Sequence, residues 1–258
     1  MSSAMLGVVS TVLHANAKLT VSLKIVGARP DGYHLIEAEM VGLAHADVLS
    51  FADGDSLTVG GPAAAGVPTD DRNLVRRALT LLGRTAAVHI DKHIRAGGGL
   101  GGGSADAAAT LRWAGCDDLA IAARLGADVP FCLVGDGHAL VSGIGEVVRP
   151  IAFEHRDYTL ITPPFGVSTV AVFAAWDALG GPVVDGPNDL EPAALQVEPR
   201  LESWRDRIED ATGQRPVLAG SGSTWFVEGA HPDLADELVP ATVVVTRTDR
   251  PSRGPDGR

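Results

Sequence analysis

The chain has 258 residues, of which 45% are hydrophobic, enough to bury the core of one large domain or of two ordinary ones. Its formal net charge of −11 disfavours a nucleic-acid or anionic-membrane surface, because such partners require clustered lysine and arginine. Two cysteines are too few for a disulfide framework, and no run of apolar residues is long enough to span a membrane. The composition therefore predicts a globular, cytoplasmic protein with no nucleic-acid or membrane partner.

The first part of the chain predicts a hairpin followed by short strands. Apolar and polar residues alternate from Lys18 to Ile25, the period of a half-buried strand, so Lys18 would begin this strand on its polar face. A turn with Pro and Gly at 29–34 leads into the next strand. Strands are expected at 18–25, 35–43, 48–52 and 56–59. A lysine at a strand end is usually a solvated charge. Tyr33 and His34, just after the turn, could either face a ligand or pack against the protein.

A helix and a further strand are expected next. An apolar stripe at 73–82 predicts the helix, which Asp70 or Asp71 would cap by accepting hydrogen bonds from its first N–H groups. A strand at 86–90 follows. This strand leads through residues 91–95 into a glycine-rich loop, which a helix follows, so the order is strand, loop and helix.

Residues 97–103 read GGGLGGG, and Ser104 and an alanine-rich helix ending at Gly115 follow them. Backbone amides that no side chain shields can surround phosphate oxygens, and the first turn of a helix adds unpaired N–H groups. A glycine-rich linker is the alternative, which the helix directly after the loop disfavours. The stretch lacks the GK[ST] of a Walker loop and the ribose-binding acid of a dinucleotide fingerprint. It therefore predicts a phosphate site of another kind.

A second polar position of interest follows this helix. After a helix expected at 118–125, Asp128 lies two residues before Pro130. Asp128 could cap a short helix. It could also be a carboxylate tuned for proton transfer, because Val129 and Phe131 would bury it partly. The residues alone leave both roles open.

The composition changes at about residue 154, where a second domain is expected to begin, so the chain divides into 1–153 and 154–258. Helices are expected at 168–179, 189–194, 199–212 and 233–238, and strands at 158–162, twice within 217–227 and at 241–246. The turn between the two strands within 217–227 consists of small residues and allows close approach of a ligand. The tail at 250–258 is expected to be disordered.

Three separated motifs together resemble the galactokinase, homoserine, mevalonate and phosphomevalonate (GHMP) kinase superfamily. They are AK at 17–18, GGGLGGGSADAAA at 97–109 and LAGSGS at 218–223. Four more are similar to members that act on a cytidine diphosphate-linked methylerythritol: DGYH at 31–34, PTDDRNL at 68–74, LGADVPF at 125–131 and NDLE at 188–191. The resemblance covers roughly 17–226. It implies an α+β fold of two domains, an N-terminal ATP-binding domain and a C-terminal ferredoxin-like α/β sandwich domain.

The resemblance also implies an activity. The γ-phosphoryl group of ATP, with Mg²⁺, would pass to the 2-hydroxyl of the methylerythritol in the non-mevalonate (MEP) route to isoprenoid precursors. By resemblance Asp128 takes the hydroxyl proton, and Lys18 stabilises the developing alkoxide and holds Asp128 ionised. The alternatives are a kinase of the homoserine or mevalonate type, which DGYH and Phe173 disfavour, and a non-catalytic nucleotide-binding relative, which Lys18 and Asp128 disfavour. The small-molecule substrate is the only partner that the resemblance implies. The protein is expected to be a monomer or a weak dimer.

Matched positions supply a candidate site, residue by residue. For ATP they are Asn73, Lys92, Gly97, Gly98, Gly99, Gly101, Gly102, Gly103 and Ser104. Ser104 is also the candidate ligand of Mg²⁺. For the substrate they are Tyr33, His34, Thr169 and Phe173, which would stack on the cytosine or hydrogen-bond to it. Gly220, Ser221 and Gly222 would lie near the phosphates or the substrate.

The chain departs from the pattern of these kinases at residues 14–16, which lack the usual proline, in its short second domain and at three single positions near the predicted site. Thr20 replaces a usual asparagine, Met40 stands where an aromatic residue is often found near the base, and Arg95 replaces a proline before the glycines. A threonine hydroxyl still donates a hydrogen bond, so catalysis is expected to survive. Asp106, after the glycine loop, could contact Mg²⁺ or only favour the helix dipole.

Overall fold

Two long antiparallel strands, β1 (Thr11–Ala28) and β2 (His34–Ala52), form the expected hairpin and organise the N-terminal sheet. The structure is a computed structural model that describes residues 10–134 and 137–250. Both strands alternate between buried and exposed positions over part of their length, as the sequence pattern requires of a sheet with one covered face.

Both strands are longer than the patterns that indicated them. Lys18 lies within β1 and does not begin it, because β1 pairs with β2 well before this residue. The expected gap between strands at 35–43 and 48–52 was also wrong, since Ala46 pairs with Asn16 across it. A register shift separates Asn16 from Lys18 in the ladder. Such a shift interrupts the period of two, so the alternation alone underestimates the strand.

Four shorter strands complete this sheet. They are β3 (Ser56–Gly60), β4 (Ala87–Asp91), β5 (His138–Gly143) and β6 (Val147–Pro150). The order is β3-β4-β2-β5-β6 with β1 paired to β2, and β3 and β4 run parallel whereas the other pairs are antiparallel. Sequence analysis missed β5 and β6, because glycines within and between them resemble a loop.

Four helices cover the sheet. They are α1 (Leu74–Leu82), α2 (Gly102–Trp113), α3 (Leu119–Leu125) and α4 (Val129–Val134). Helix α2 is central and packs against β1, α1 and α4. Its alanines are buried, which allows these close approaches and explains the alanine-rich sequence after the glycine loop.

Helix α1 is capped by Asn73, and neither Asp70 nor Asp71 is the cap that the sequence predicted. The Asn73 Oδ1 accepts a hydrogen bond from Val75 N at 2.9 Å. The Asp70 carboxylate instead accepts from the backbone N–H and the guanidinium of Arg72. Asp70 therefore stabilises the loop before the helix, and it lies too early in the chain to cap the helix.

A four-stranded antiparallel sheet follows, and the chain passes into it between β6 and β7. Its strands are β7 (Asp157–Thr162), β8 (Val217–Leu218), β9 (Trp225–Glu228) and β10 (Thr242–Arg247), in the order β10-β7-β9-β8. Its helices are α5 (Thr169–Ala178), α6 (Glu191–Val197), α7 (Arg200–Thr212) and α8 (Leu234–Glu237). Apart from Arg250, the tail predicted to be disordered lies outside the described residues.

The two sheets are joined through β1. Leu23 N donates to Pro187 O at 2.8 Å, and Asp189 N donates to Leu23 O at 2.9 Å. Leu23 belongs to a hydrophobic cluster that also contains Leu190 and Trp225. One continuous core therefore fixes β1 against the second half of the chain, and the candidate catalytic lysine lies on this strand.

Candidate active site

A cavity of about 700 Å³ brings together most of the predicted site residues. Its walls come from β1, the start of β2, the glycine loop, the residues before α4, helix α5 and the turn before β9. Residues from three predicted groups line it: Lys18 and Asp128; Gly99, Gly101 and Ser104; and Tyr33, His34, Thr169 and Phe173, with Gly220 and Ser221 beside them. The cavity is therefore the candidate active site.

Lys18 and Asp128 form an ion pair in this cavity. Lys18 Nζ lies 3.4 Å from Asp128 Oδ2, and it donates a hydrogen bond to Thr20 Oγ1 at 3.0 Å. The lysine side chain is 7% exposed and that of Asp128 is 32% exposed, so the ammonium is buried while the carboxylate remains open to a ligand. The solvated-charge interpretation of Lys18 is excluded by this burial. Asp128 lies next to α4 with its side chain directed to Lys18.

The glycine loop contacts β1 directly. Lys18 N donates to Leu100 O at 3.0 Å. Gly101 has φ of 68°, and a Cβ there would lie 2.7 Å from Lys18 Cγ. Gly99 has φ of 81°, and a Cβ there would lie 2.5 Å from Ala219 O. A side chain at either position would cause both backbone strain and a clash. The loop can therefore lie this close to Lys18 and Ala219 only with glycine at these two positions.

Helix α2 begins at Gly102, two residues before Ser104. Gly101 is its N-cap, and no side chain accepts a hydrogen bond from the first turn. Ser104 lies inside that first turn and lines the cavity. The N–H groups of a first turn without a side-chain cap can bind an anion, and the helix dipole adds to the attraction. This first turn can therefore accommodate a phosphate group.

The remaining predicted ATP positions do not line the cavity. Asn73, Lys92, Gly97, Gly98, Gly102 and Gly103 lie outside its wall, as does Gly222, which was predicted to lie near the phosphates or the substrate. Asn73 caps α1, and Gly98 O accepts from Thr224 N, which ties the loop to the C-terminal sheet. A Cβ at Gly102 would lie 2.9 Å from Ile94 Cγ2, so this glycine serves packing beneath the loop.

Lys92 is buried between two carboxylates. Its Nζ donates to Asp47 Oδ2 and to Asp106 Oδ2, each at 2.5 Å. Burial opposes its charge, yet the two carboxylates raise the pKa of Lys92. Burial raises the pKa of the Asp106 carboxyl to about 7. Asp106 does not line the cavity, and its main contact is this ion pair with Lys92. A contact with Mg²⁺ and an interaction with the helix dipole were the two roles that the sequence left open, and neither describes this contact.

Sequence analysis missed Asp47, because a single aspartate in a strand carries no motif. Its Oδ1 accepts hydrogen bonds from His93 N at 2.6 Å and Ile94 N at 2.8 Å. The buried triad of Asp47, Lys92 and Asp106 thus fixes the segment that enters the glycine loop.

The aromatic residues form the second part of the cavity. The rings of His34 and Phe173 stack with centroids 4.8 Å apart, and Trp176 meets His34 edge-on at 5.4 Å. Asp177 Oδ1 lies 2.8 Å from His34 Nε2. Sequence analysis missed Trp176 and Asp177, although their helical spacing of three and four from Phe173 places them on the same face.

The small-residue turn before β9 is held by the NDLE motif. Asn188 Nδ2 donates to Leu218 O at 2.8 Å and to Gly220 O at 2.7 Å, and its Oδ1 accepts from Leu190 N at 2.9 Å. Thr169 Oγ1 and Ser221 Oγ are 2.8 Å apart, which connects this turn to α5. The turn is therefore fixed on both sides, with Gly220 facing Lys18 and Thr20.

Curated relatives of this chain and one solved structure share one activity in their names. The GHMP kinases N terminal domain matches residues 73–136. A 4-diphosphocytidyl-2-C-methyl-D-erythritol kinase of Rhodopseudomonas palustris is 37% identical, over 82% of this chain and 86% of its own. The kinase of the same name from Paracoccus denitrificans is 36% identical, over 82% and 84%. A solved 4-(cytidine 5'-diphospho)-2C-methyl-D-erythritol kinase aligns with a TM-score of 0.73 and 31% identity, over 93% of this chain and 100% of its own.

The chain belongs to the 4-diphosphocytidyl-2-C-methyl-D-erythritol kinase family. The mixed α+β GHMP kinase fold expected from the motifs is thereby confirmed. A mevalonate kinase of L. major with R-mevalonate aligns with a TM-score of 0.63 over 97% of this chain and 99% of its own. Its identity of 15% shows the shared fold alone. Within the described residues, no helix has the length and hydropathy to cross a membrane.

Two of the three departures from the pattern of this kinase family lie in the cavity. Thr20 accepts the hydrogen bond of Lys18 Nζ, so its hydroxyl contacts the catalytic candidate directly. Met40 is buried in the cavity wall. Arg95 is exposed and lies outside the wall. Thr20 and Met40 thus change the surroundings of the candidate site, whereas its two charged groups, Lys18 and Asp128, are present.

Proposed function

We propose that the protein transfers the γ-phosphoryl group of ATP to the 2-hydroxyl of 4-diphosphocytidyl-2-C-methyl-D-erythritol, a step of the non-mevalonate (MEP) isoprenoid pathway. The observation that carries the proposal is the Lys18–Asp128 pair, placed between the glycine loop and the aromatic group in one cavity. The names of the curated relatives favour this substrate over homoserine or mevalonate.

The chemistry assigned to the pair is proton transfer and charge stabilisation. Asp128 accepts the proton of the 2-hydroxyl as the substrate oxygen bonds to the γ-phosphorus, and the bond from that phosphorus to the β–γ bridging oxygen breaks to release ADP. Lys18 remains protonated and stabilises the negative charge that develops on the oxygens. Its burial supports this role, because a charge acts more strongly where water is excluded.

The ATP phosphates would lie against the first turn of α2. Gly99 and Gly101 line the cavity beside this turn, and no side chain caps the turn, so its N–H groups can bind the phosphates. We assign the adenosine positions Asn73 and Lys92 from the family alone, since Lys92 already holds two carboxylates.

Mg²⁺ suits the oxygen donors present. Ser104 presents a hydroxyl to the cavity in the first turn of α2. Mg²⁺ at kinase sites takes few protein ligands, because phosphates and waters complete its shell. When bound, it would neutralise charge on the phosphates, and Ser104 would hold it. Within the described residues no cluster of three His, Cys, Asp or Glu side chains is present, and we assign Ser104 from its matched position in the superfamily and its place in the cavity wall.

The test is ADP release from Mg-ATP with three acceptors: 4-diphosphocytidyl-2-C-methyl-D-erythritol, homoserine and mevalonate. We expect turnover with the first alone, and a loss of kcat of at least about 1,000-fold in Asp128→Asn, since an amide cannot accept the proton. Asp210→Asn, an exposed substitution in α7, is the matched control and keeps full activity. Turnover with homoserine or mevalonate alone would contradict the proposal. Binding of ATP without turnover of any acceptor would favour the non-catalytic alternative.

A cytoplasmic location and a monomer or weak dimer stay predictions from the sequence. The division of the chain at residues 153 and 154 is likewise our proposal, supported by the passage of the chain from one sheet to the other between Pro150 and Asp157. Limited proteolysis that cuts first within 151–156 would support it.

A further inference from the structure

The ring of His34 is held by helix α5 on three sides. Phe173 stacks on it, Trp176 meets it edge-on, and Asp177 Oδ1 lies 2.8 Å from its Nε2. His34 itself begins β2, in the other sheet. Its side chain is 10% exposed, so its orientation is set by these neighbours and not by solvent.

The neighbours are themselves fixed. Trp176 Nε1 donates to Pro182 O at 3.1 Å, and a Cβ added at Gly181 would lie 2.9 Å from the Trp176 ring. The turn after α5 therefore packs tightly against this tryptophan. His34 cannot rotate away from Asp177 without displacing side chains that have their own partners.

The contact with Asp177 determines which nitrogen of His34 carries hydrogen. An ionised carboxylate can only accept, so the 2.8 Å contact requires a hydrogen on Nε2. In the neutral ring the other nitrogen, Nδ1, then carries a lone pair and accepts. No hydrogen bond joins Nδ1 to any residue of the described part of the chain, whereas His34 lines the cavity. Nδ1 is thus an acceptor available to a ligand.

A hydrogen-bond acceptor such as Nδ1 can distinguish cytosine from uracil, because the two bases differ at ring position 4. The 4-amino group of cytosine donates a hydrogen bond, whereas uracil has a carbonyl oxygen at this position. We propose that Asp177 is a positioning residue that makes His34 present an acceptor to the base and so selects cytosine over uracil. The inference rests on the proposed function, whose substrate carries cytosine.

Steady-state kinetics with the full chain test the inference. The acceptors are 4-diphosphocytidyl-2-C-methyl-D-erythritol and its uridine counterpart. We expect the wild type to favour the cytosine substrate, and Asp177→Leu to reduce this ratio of kcat/KM at least tenfold, chiefly through a higher KM for the cytosine substrate. Asp177→Asn should retain most of the ratio, because its carbonyl oxygen still accepts from Nε2. Asp210→Leu, on the exposed face of α7, is the control and leaves the ratio unchanged.

Two results would overturn the inference. One is an unchanged ratio in Asp177→Leu. The other is an equal rise of both KM values, which would indicate a purely structural role for Asp177. If the wild type turns over neither substrate, the proposed function fails, and the ratio of the dissociation constants of CDP and UDP measures the selection instead.

A measurement on the wild type does not depend on the folding of any variant. In ¹⁵N NMR of the ring nitrogens at pH 8, with His34 assigned by its loss in His34→Gln, we expect a protonated Nε2 and an unprotonated Nδ1. A hydrogen on Nδ1 in place of Nε2 would overturn the inference.

Discussion

Gly101 lies against Lys18 so closely that a single added methyl group would displace the lysine: a Cβ at Gly101 would be 2.7 Å from Lys18 Cγ and 3.1 Å from Cε. The glycine loop and Lys18 therefore cannot be altered independently. An approach this close requires glycine for space as well as for its φ of 68°.

Gly101→Ala should lower kcat/KM at least about 100-fold, which corresponds to about 2.7 kcal/mol of transition-state stabilisation. The physical cause is a shift of the Lys18 ammonium away from Asp128. Gly66→Ala is the matched control, because Gly66 has φ of 78° but nothing within 4 Å of the added Cβ. The control should lose about 1 kcal/mol of stability and keep its activity. Equal kinetic losses in both variants would show that strain alone, and not the lysine contact, is responsible.

Thr20 should matter through its hydroxyl. Thr20→Val removes the acceptor that Lys18 Nζ uses at 3.0 Å, and we expect kcat to fall about tenfold with little change in KM. Thr20→Asn, which restores the residue usual in the family, should retain activity. Thr110→Val removes a buried hydroxyl that does not line the cavity and controls for the loss of a polar group. A kcat for Thr20→Val equal to that of the wild type would refute a role for this hydrogen bond.

Asn188 should be sensitive to loss of its amide hydrogens. Asn188→Asp leaves Leu218 O and Gly220 O without donors and buries a carboxylate beside them, so unfolding free energy should fall by about 3 kcal/mol. Asn73→Asp is the contrasting variant, because it keeps the acceptor for Val75 N and removes only one donor, to Pro68 O, where Asn188→Asp removes two. It should therefore cost clearly less stability than Asn188→Asp. Urea denaturation of the two variants measures the difference, and similar losses would contradict the prediction.

The pKa of Asp106, which burial raises to about 7 from an ordinary value of 3.8, makes stability depend on pH. Between these values the folded protein binds more protons at this group than the unfolded chain, so its contribution to unfolding free energy falls as pH rises from about 4 to 7. The slope is at most about 1.4 kcal/mol per pH unit. Asp106→Asn removes it.

The measurement is the difference in unfolding free energy between wild type and Asp106→Asn, from urea titrations at pH 5, 6, 7 and 8. We expect the difference to fall up to about pH 7 and then to level off. Asp210→Asn, an exposed carboxylate, should show a difference that does not vary with pH. A difference that rises with pH would mean that the ion pair with Lys92 outweighs burial.

The parts of the site that lie in one stretch could be predicted from sequence, whereas those built from separated single residues could not. Six glycines in a row of seven specify an open backbone before a helix, whatever surrounds them. Asp47 illustrates the opposite case, since its three partners, Lys92, His93 and Ile94, lie more than forty residues away and no local pattern marks it. The predicted N-cap of α1 was wrong for a related reason. Asp70, Asp71 and Asn73 all have side chains that cap helices well, and the residue at which the helix starts decides which of them is the cap.

The fold shows the same division. Alternation identified the parts of β1 and β2 with one covered face. It could not identify the register shift beside Lys18, because a shift is a property of the pairing and not of one strand. Trp176 and Asp177 were within reach of a helical-spacing argument, but their contact with His34 depends on how α5 lies against the other sheet.

The hydrogen bonds from β1 to residues 187 and 189 also determine when the active site can assemble. Ile25 and Asp189 are 164 residues apart, so the strand that carries Lys18 leaves the ribosome early and finds these partners only after most of the chain has been translated. Contacts of such separation form slowly, because a long loop must close first. A nascent chain that ends before the NDLE motif would hold the lysine, the aspartate and the glycine loop, yet would lack the wall that closes them into a cavity.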